Sequence, residues 1–351
     1  MDVDTINQDY FTSYEDLEIH ELMLLDDART QTYRKAIEAC SSLFKDKIVM
    51  DVGSGTGILS MFCAKAGAKK VFAVEASNTA RLSEKIIADN KLESVISVFH
   101  GQVESFELPN DVDGVDIIVS EWMGFYLLHE SMLDSVIFAR DKFLKSDGLM
   151  FPTSASLYCA PIMLPNRFDG PFEGLDLRTF AKELRTQKSQ KPQVEVLKEE
   201  NLLHEGSVVA WIDLKETSVE DLKEFDIKEV FVAQKSGELR GFCIWWDVIF
   251  PNETSSDEPI ALPTGPKDPP THWKQTIIEF PDEATQTIEE PGVPIAVQLK
   301  ISRSLESTRR YNLHLEMLDP EKEEHPMPCN CIMTKCILTK QHLASLEMND
   351  L

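Results

Sequence analysis

Two glutamates, Glu121 and Glu130, bracket an aromatic segment that contains one glycine. This segment directly follows the apolar run Val115–Val119, which is typical of a parallel strand buried on both faces. Open α/β sheets bind ligands at the carboxyl ends of their strands, so both acids are expected at a ligand site. Two carboxylates placed there can hold a guanidinium, whose rigid fork of donors matches carboxylates. The alternative interpretation is that one or both acids cap a helix or lie in a solvated turn.

A cofactor site is indicated upstream, where a short apolar strand is followed by Gly53, Gly55 and Gly57 and then by a helix-like segment. Glycines permit a sharp turn and let a ligand approach the backbone closely. The next predicted strand ends at Glu75, whose carboxylate can accept both hydroxyl groups of a ribose. A dinucleotide fingerprint needs glycine at position 58, but the chain has Ile58 there. The run Gly53, Gly55, Gly57 instead resembles the pattern of S-adenosylmethionine-binding methyltransferases, so a nicotinamide cofactor is disfavoured.

Length and charge restrict the class of protein. A chain of 351 residues is too long for one mononucleotide-binding unit and suits two domains. Its formal net charge of -25 at pH 7 argues against direct binding of nucleic acid and suits a cationic substrate. The polar, acidic start does not resemble a signal peptide, and no apolar stretch reaches the roughly 18 residues of a membrane span. Seven irregularly spaced cysteines indicate reduced thiols, so we expect a protein of the cytoplasm and nucleus.

The chain divides into segments of different pattern. Residues 1–45 have the spacing of amphipathic helices, and residues 46–152 alternate strands with helices, which predicts a parallel sheet. Residues 153–340 contain alternating apolar and polar runs, which predict antiparallel strands in a barrel or a sandwich. Residues 341–351 are expected to form a tail. The predicted class is α/β, with a Rossmann-like cofactor domain followed by an antiparallel domain.

Several motifs occur in a fixed order along residues 9–340. They are Tyr10-Phe11-x-x-Tyr14, His20-Glu21-Leu22-Met23, Arg29-Thr30, Asp51-Val52-Gly53-Ser54-Gly55-Thr56-Gly57, Glu75, the acid pair, and Thr271-His272-Trp273-Lys274-Gln275. With them the chain resembles the protein arginine methyltransferases that form monomethylarginine and asymmetric dimethylarginine. The resemblance implies an S-adenosylmethionine-binding Rossmann-like domain, a β-barrel, and an N-terminal helical segment that closes over the cofactor. It also implies basic protein substrates, such as histone tails and Gly/Arg-rich RNA-binding proteins.

The resemblance assigns most of the candidate residues to the cofactor. Arg29 would pair with the methionine carboxylate, Glu75 would hold the ribose, and Glu104 would meet the adenine amine. Tyr10 and Phe11 would cover the cofactor and exclude water. The remaining candidates for cofactor contact are His20, Asp51, Gly53 and Gly55. Without the resemblance, a surface arginine, a structural histidine and an aromatic core cluster would be the ordinary interpretations.

The catalytic roles concern the substrate guanidinium. Glu121 and Glu130 would hold it and direct one terminal nitrogen at the sulfonium methyl, with Tyr14 covering the site. Asp26 and His272 would pass the released proton to solvent.

Two methionines are expected to decide the product. Met23 and Met132 would shape the methyl pocket so that a second methyl reaches the same nitrogen. Two other functions stay open from the residues alone. One is methylation of lysine or of a small molecule, and the other is a non-catalytic scaffold.

Two segments depart from the family pattern. The dimerisation arm near residues 164–180 is short and lacks tryptophan, so we expect a weaker homodimer. His325, Cys329, Cys331 and Cys336 fit no common zinc-binding spacing. We interpret their segment as the last barrel strand and expect no metal.

Overall fold

The computed structural model describes residues 10–165, 168, 170–252 and 259–349. Its first part is helical, with a turn of helix at residues 10–13 followed by α1 (Leu17–Leu25), α2 (Asp27–Ala39) and α3 (Ser41–Phe44). Asp26 both ends α1 and caps α2, because its side chain accepts a hydrogen bond from the backbone N–H of Arg29. The described residues of this segment are therefore mainly helical, and residues 1–9 lie outside them.

A five-stranded parallel sheet follows. Its strands are β1 (Ile48–Val52), β2 (Lys70–Glu75), β3 (Ile96–His100), β4 (Val115–Val119) and β5 (Leu144–Phe151), in the spatial order β3-β2-β1-β4-β5. The connecting helices are α4 (Ile58–Lys65), α5 (Ala80–Asp89) and α6 (Leu133–Phe143). The strand order reverses between β1 and β4, and a crevice at the carboxyl ends of the strands is expected there. The glycine loop follows β1 and the acid-bearing loop follows β4, so both candidate segments meet at this crevice.

The second domain is antiparallel, as predicted. Its strands are β6 (Ser154–Ile162), β7 (Gln193–Glu195), β8 (Ser207–Asp213), β9 (Glu224–Val232), β10 (Gly237–Leu239), β11 (Gly241–Phe250), β12 (Ile260–Pro263), β13 (Gln275–Glu279), β14 (Gln286–Ile288), β15 (Pro294–Arg303) and β16 (Tyr311–Leu318). They form three sheets. The largest has the order β7-β13-β11-β6-β8, and β12 also pairs with β11. The other two have the orders β16-β15-β9 and β10-β14. A helix, α7 (Arg178–Lys188), lies between β6 and β7.

Two tryptophans join the domains. Trp246 on β11 donates its indole N–H to the carbonyl of Gly124 at 3.1 Å, and Trp273 donates to the carbonyl of Met123 at 2.8 Å. Their rings pack edge to face, with centroids 4.7 Å apart. Both indoles are buried in a core that continues from one domain into the other. The antiparallel domain therefore holds the loop between the two acids in place. None of the helices in the described ranges is long and apolar enough to cross a membrane.

The C-terminal segment differs from the prediction. The segment of residues 325–336, which we interpreted as the last barrel strand, has no strand; it is irregular up to residue 333. A helix, α8 (Thr334–Asn349), then begins and crosses the expected start of the tail at residue 341. The strand interpretation was wrong because Pro326 and Pro328 remove two backbone donors from the segment before the helix. The last strand, β16, has already ended at Leu318. Part of the predicted arm also lies outside the described residues, at positions 166, 167 and 169.

Candidate active site

A cavity of about 390 Å³ lies at the carboxyl ends of β1, β2 and β4, within the size range of ligand sites. All the predicted site residues belong to the described part of the chain, and only Asp26 and Asp51 are outside the lining of the cavity. Those that line it are Tyr10, Phe11, Tyr14, His20, Met23, Arg29, Gly53, Gly55, Glu75, Glu104, Glu121, Glu130, Met132 and His272. The structure therefore brings together residues that are up to about 260 positions apart in the sequence.

Glu130 is the acid held by the N-terminal segment. Its Oε2 accepts a hydrogen bond of 2.6 Å from the hydroxyl of Tyr14. Burial raises the pKa of Glu130, and the nearby Glu121 carboxylate adds to the rise, although hydrogen bonds from Tyr14 and Tyr10 oppose it. A buried anion of this kind is stabilised best by a cationic ligand. Glu130 is therefore the stronger candidate for direct contact with a guanidinium.

The backbone around Glu130 is held in an uncommon conformation. Tyr126, Leu127, Glu130 and Ser131 all have positive φ, at 41°, 70°, 76° and 53°. Non-glycine residues in this region carry strain, and such strain concentrates at functional sites, where the surrounding structure maintains it. Here the support comes from the two tryptophan hydrogen bonds described above and from Arg309. The backbone N–H of Glu130 donates to the carbonyl of Arg309, and a guanidinium N–H of Arg309 donates to the carbonyl of Glu130, each at 2.9 Å.

Glu121 is paired within the protein. Its Oε2 accepts a hydrogen bond of 2.8 Å from Nε of Arg29, and each side chain is 8% exposed. Arg29 also donates to the carbonyl of Met23 at 3.2 Å. The family resemblance assigns Arg29 to the cofactor and Glu121 to the substrate, whereas the structure pairs their side chains with each other. Glu121 is therefore already partly neutralised by Arg29.

The cofactor side of the cavity is built on the glycine loop and Glu75. Gly53 and Gly55 have φ of +72° and +53°, and a side chain at Gly53 would collide with the methyl group of Met132. The two carboxylate oxygens of Glu75 accept backbone N–H groups of Gly55 at 2.7 Å and Ser77 at 2.8 Å. Each of these oxygens keeps a second lone pair. These remaining lone pairs are acceptors that fit the two ribose hydroxyl groups of S-adenosylmethionine.

His20 fastens the N-terminal segment to the cofactor loop. Its Nε2 lies 2.8 Å from the carbonyl of Tyr14, and the ring lies beside Gly55. The hydroxyl of Thr79 donates to the same carbonyl at 2.9 Å. Thr79 was missed in the sequence, because it belongs to none of the quoted motifs. His20 therefore positions Tyr14 over the cavity as well as lining it.

Arg309 is a second residue that sequence reasoning missed. Its guanidinium lies 3.8 Å from the ring centroid of Tyr10 and 5.2 Å from that of Phe11. Burial lowers the pKa of Arg309, although Tyr10 and Glu130 oppose this effect. The available signal was a pair of adjacent arginines in a strongly acidic chain. Arg309 supports the aromatic cover from the side of the antiparallel domain.

Asp26 and His272, the two residues of the predicted proton relay, are in contact. The ring Nδ1 of His272 lies 2.7 Å from Oδ2 of Asp26, which also accepts the backbone N–H of His272 at 2.8 Å. Burial favours the neutral acid, but hydrogen bonds from His272 and Arg29 outweigh it and lower the pKa of Asp26. Asp26 therefore stays ionised and orients His272, which lines the cavity.

Asp51 is placed differently from the prediction. Its side chain is fully buried beneath the glycine loop and accepts a hydrogen bond of 2.6 Å from the hydroxyl of Ser60 on α4. Burial raises the pKa of Asp51 to about 7. The predicted direct contact with the cofactor is corrected to a supporting position, because the side chain points below the loop to the helix that follows it.

The chain is similar to known methyltransferases. A family model described as the arginine methyltransferase oligomerization subdomain matches residues 154–319, and one described as ribosomal protein L11 methyltransferase (PrmA) matches residues 29–129. The chain is 39% identical over 335 residues to a probable protein arginine N-methyltransferase 6.1 of Oryza sativa subsp. japonica, covering 88% of this chain and 84% of the relative. It is 38% identical over 337 residues to protein arginine N-methyltransferase 6 of Danio rerio, covering 93% of each.

Solved structures of arginine methyltransferases have a similar fold. The chain superposes on the Trypanosoma brucei PRMT1 enzyme-prozyme heterotetrameric complex with AdoHcy with a TM-score of 0.76 at 33% identity, covering 90% of this chain and 98% of the other. It superposes on a PRMT6 complex with SAH with a TM-score of 0.75 at 34% identity, covering 86% of this chain and all of the other.

Proposed function

Since the chain belongs to the protein arginine N-methyltransferase family, we propose that it converts arginine in basic proteins to monomethylarginine and then to asymmetric dimethylarginine. Methyl transfer from S-adenosylmethionine to arginine is the activity of this family. The observation that carries the finer proposal is the position of Met23 and Met132 on the wall of the cavity that holds both acids. Histone tails and Gly/Arg-rich RNA-binding proteins are the proposed substrates, in the cytoplasm and nucleus.

The acids make a weak nucleophile reactive by position and charge. An arginine guanidinium has a pKa above about 12, and its delocalised cation attacks poorly. Glu130, with Glu121 beside it, would bind two edges of the cation and favour localisation of electron density on one terminal nitrogen. Positioning of this kind lowers a barrier by several kcal/mol, up to roughly 7–11 in the best intramolecular cases. The fixed anions act most strongly in a site closed from water.

The cofactor is held by the opposite wall. Gly53, Gly55, Glu75 and Glu104 line that part of the cavity, and when bound there S-adenosylmethionine supplies an electrophilic methyl group. The aromatic cover at residues 10–14 excludes water. Each transfer releases one proton from the guanidinium, since the methylated product is again a cation. His272, oriented by Asp26, is the group that would accept this proton.

We expect the product to be asymmetric dimethylarginine. Met23 and Met132 are flexible thioethers that can leave room for a methyl group already on the nitrogen near the sulfonium. Met132 also contacts the Gly53 position, so methyl pocket and cofactor loop are adjacent. The test is acid hydrolysis of a methylated arginine peptide, followed by chromatographic separation of the dimethylarginine isomers. Symmetric dimethylarginine as the main product would overturn this assignment.

The acidity of the chain supports a basic substrate. Its net charge of -25 concentrates cationic ligands near the surface and raises their association rate. Two carboxylates match the planar guanidinium of arginine, so a lysine or small-molecule acceptor would need a different arrangement of side chains. A non-catalytic scaffold would bind the cofactor without forming product, and a calorimetric binding signal with no methylated product would identify it.

We propose that the chain forms a weak homodimer through the arm that precedes β7. Phe168 contacts the rings of Phe172 and Phe180, with centroids 5.4 and 5.3 Å apart. Phe172, Leu175 and Phe180 are nonetheless 47%, 64% and 52% exposed, which suits a surface covered by a second copy. The matching family model carries the description of an oligomerization subdomain.

A weak dimer should make specific activity rise with protein concentration. Light scattering and activity measured across one dilution series would test this, with Phe180→Ser expected to shift both curves to higher concentration. Trp211→Ser is the matched control, because Trp211 is an aromatic residue of similar exposure, 60%, on β8. A dimer that persists at every dilution, or equal shifts in both variants, would contradict the proposal.

A further inference from the structure

Four side chains at the C-terminal end of the second domain converge on one point. They are His325, Cys329, Cys331 and Cys336, and their ligating atoms all lie within 4.8 Å of one another. Nδ1 of His325 lies 3.4, 3.4 and 3.3 Å from the sulfurs of Cys329, Cys331 and Cys336 in turn. From this convergence we propose a structural zinc site with three cysteine ligands and one histidine ligand, separate from the methyltransferase site.

The distances match a tetrahedron around zinc. Zinc binds cysteine sulfur at about 2.3 Å and histidine nitrogen at about 2.0–2.1 Å, so tetrahedral N···S edges are about 3.5 Å. The three measured N···S distances are within about 0.2 Å of that value. Hydrogen bonding cannot explain this arrangement, because one imidazole nitrogen has a single proton or a single lone pair for three sulfurs. A shared metal ion accounts for all three contacts.

The histidine is oriented for this role. Its other nitrogen, Nε2, lies 2.8 Å from the carbonyl oxygen of Pro320. That carbonyl only accepts hydrogen bonds, so it fixes the ring proton on Nε2 and leaves the lone pair of Nδ1 facing the sulfurs. Metal-binding histidines commonly have such a carbonyl partner, which sets the tautomer and the ring orientation.

Backbone and side-chain donors surround the cluster. The backbone N–H of Cys331 donates to the sulfur of Cys329 at 3.4 Å, as is expected for a thiolate ligand. Lys335 donates to the carbonyls of Pro320, Glu321 and Glu323 at 3.0–3.1 Å, so the turn that carries His325 is tied to the start of α8. Cys336 lies in the first turn of α8, so the helix fixes the position of its sulfur beside the turn that carries His325.

The site would attach the C-terminal segment to the second domain. The three cysteines are 5%, 3% and 6% exposed and pack against Val232 of β9 and against Met333. The backbone N–H of Ile332 donates to the carbonyl of Gly292 at 2.9 Å, next to β15. With four protein ligands, the tetrahedral site leaves no position for a substrate, which is the arrangement of structural zinc. Soft thiolates with an imidazole favour zinc over calcium or magnesium.

The direct test is the zinc content of the full-length chain after purification under reducing conditions from zinc-supplied cells. We expect one zinc ion per chain by elemental analysis. Replacement with Co²⁺ should give the visible absorption of a tetrahedral thiolate complex. Cys336→Ser should lose most of the bound zinc. Cys243→Ala, a buried cysteine of β11 outside the cluster, should keep it.

The Co²⁺ measurement on the unchanged chain keeps the test informative if Cys336→Ser fails to fold. Absence of zinc together with absence of the tetrahedral Co²⁺ spectrum would overturn the proposal. A disulfide between two of the three cysteines, found by mass spectrometry of the reduced-condition preparation, would also overturn it. Equal zinc content in Cys336→Ser and Cys243→Ala would place the metal elsewhere. None of these outcomes depends on the substrate of the methyltransferase site.

Discussion

Replacement of Glu130 by glutamine is expected to lower kcat/KM for an arginine peptide by roughly 10²–10³-fold, the usual effect of removing one charge-stabilising group. The amide keeps the shape of the carboxylate and can still accept the hydrogen bond from Tyr14, which is 2.6 Å long in the unchanged chain. It loses the negative charge, and a charge-assisted hydrogen bond is about twice as strong as a neutral one. The dissociation constant of S-adenosylhomocysteine, measured by calorimetry, should stay nearly unchanged, because Glu130 faces the substrate.

Glu279→Gln is the matched control for Glu130→Gln. Glu279 on β13 is also buried, and burial also raises the pKa of its carboxyl group. Glu279 lines a different cavity, beside Arg240 and α7, so the Glu279→Gln variant should retain activity. If Glu130→Gln lost cofactor binding together with activity, the role of Glu130 would be structural. If both variants lost activity equally, burial of any acid would explain the result.

Replacement of Glu75 should have the opposite pattern. Loss of hydrogen bonds to a charged group costs about 1.5–3 kcal/mol each, so Glu75→Ala should raise the cofactor dissociation constant by roughly 10- to 150-fold or more. Activity at saturating cofactor should recover in large part, because the acids that face the substrate are unchanged. Calorimetric titration and kcat at high cofactor concentration would measure the two effects separately.

Glu75 also accepts the backbone N–H groups of Gly55 and Ser77, so Glu75→Ala can disturb the glycine loop. Glu75→Gln keeps one acceptor oxygen and serves as the conservative variant, with a smaller expected rise in the dissociation constant. Thermal unfolding without cofactor would show whether either variant alters the fold. Unchanged cofactor affinity in Glu75→Ala would remove Glu75 from the ribose site.

The parallel sheet and the glycine loop were predictable because their signals are local. Buried strands are continuous apolar runs, and the turn after β1 needs residues that tolerate positive φ, as at Gly53. The acid pair was predictable for the same reason, since both residues follow β4 within eleven positions of its end at Val119. The fold class and the position of the ligand site therefore follow from short stretches of sequence.

The pairings across the site were not predictable from local pattern. Arg29 and Glu121 are 92 positions apart, and Arg309 and Glu130 are 179 apart, so only the folded chain shows that they are partners. The four residues of the C-terminal cluster were noted in the sequence, but their convergence on one point was not predicted, for a related reason. Its ligand spacing matches no common motif, and its geometry depends on the turn that Lys335 ties to α8. Asp51 was misplaced because a motif gives the position of a residue but not the direction of its side chain.

The central claim is that Glu121 and Glu130 present an arginine guanidinium for methylation. The most direct measurement uses two basic peptides that differ only in one residue, arginine or lysine, with S-adenosylmethionine and mass spectrometric location of the methyl group. We expect methylation of the arginine peptide at its guanidinium, none of the lysine peptide, and near loss of arginine methylation in Glu130→Gln. Methylation of the lysine peptide at a comparable rate, or of arginine by Glu130→Gln at the unchanged rate, would contradict the account.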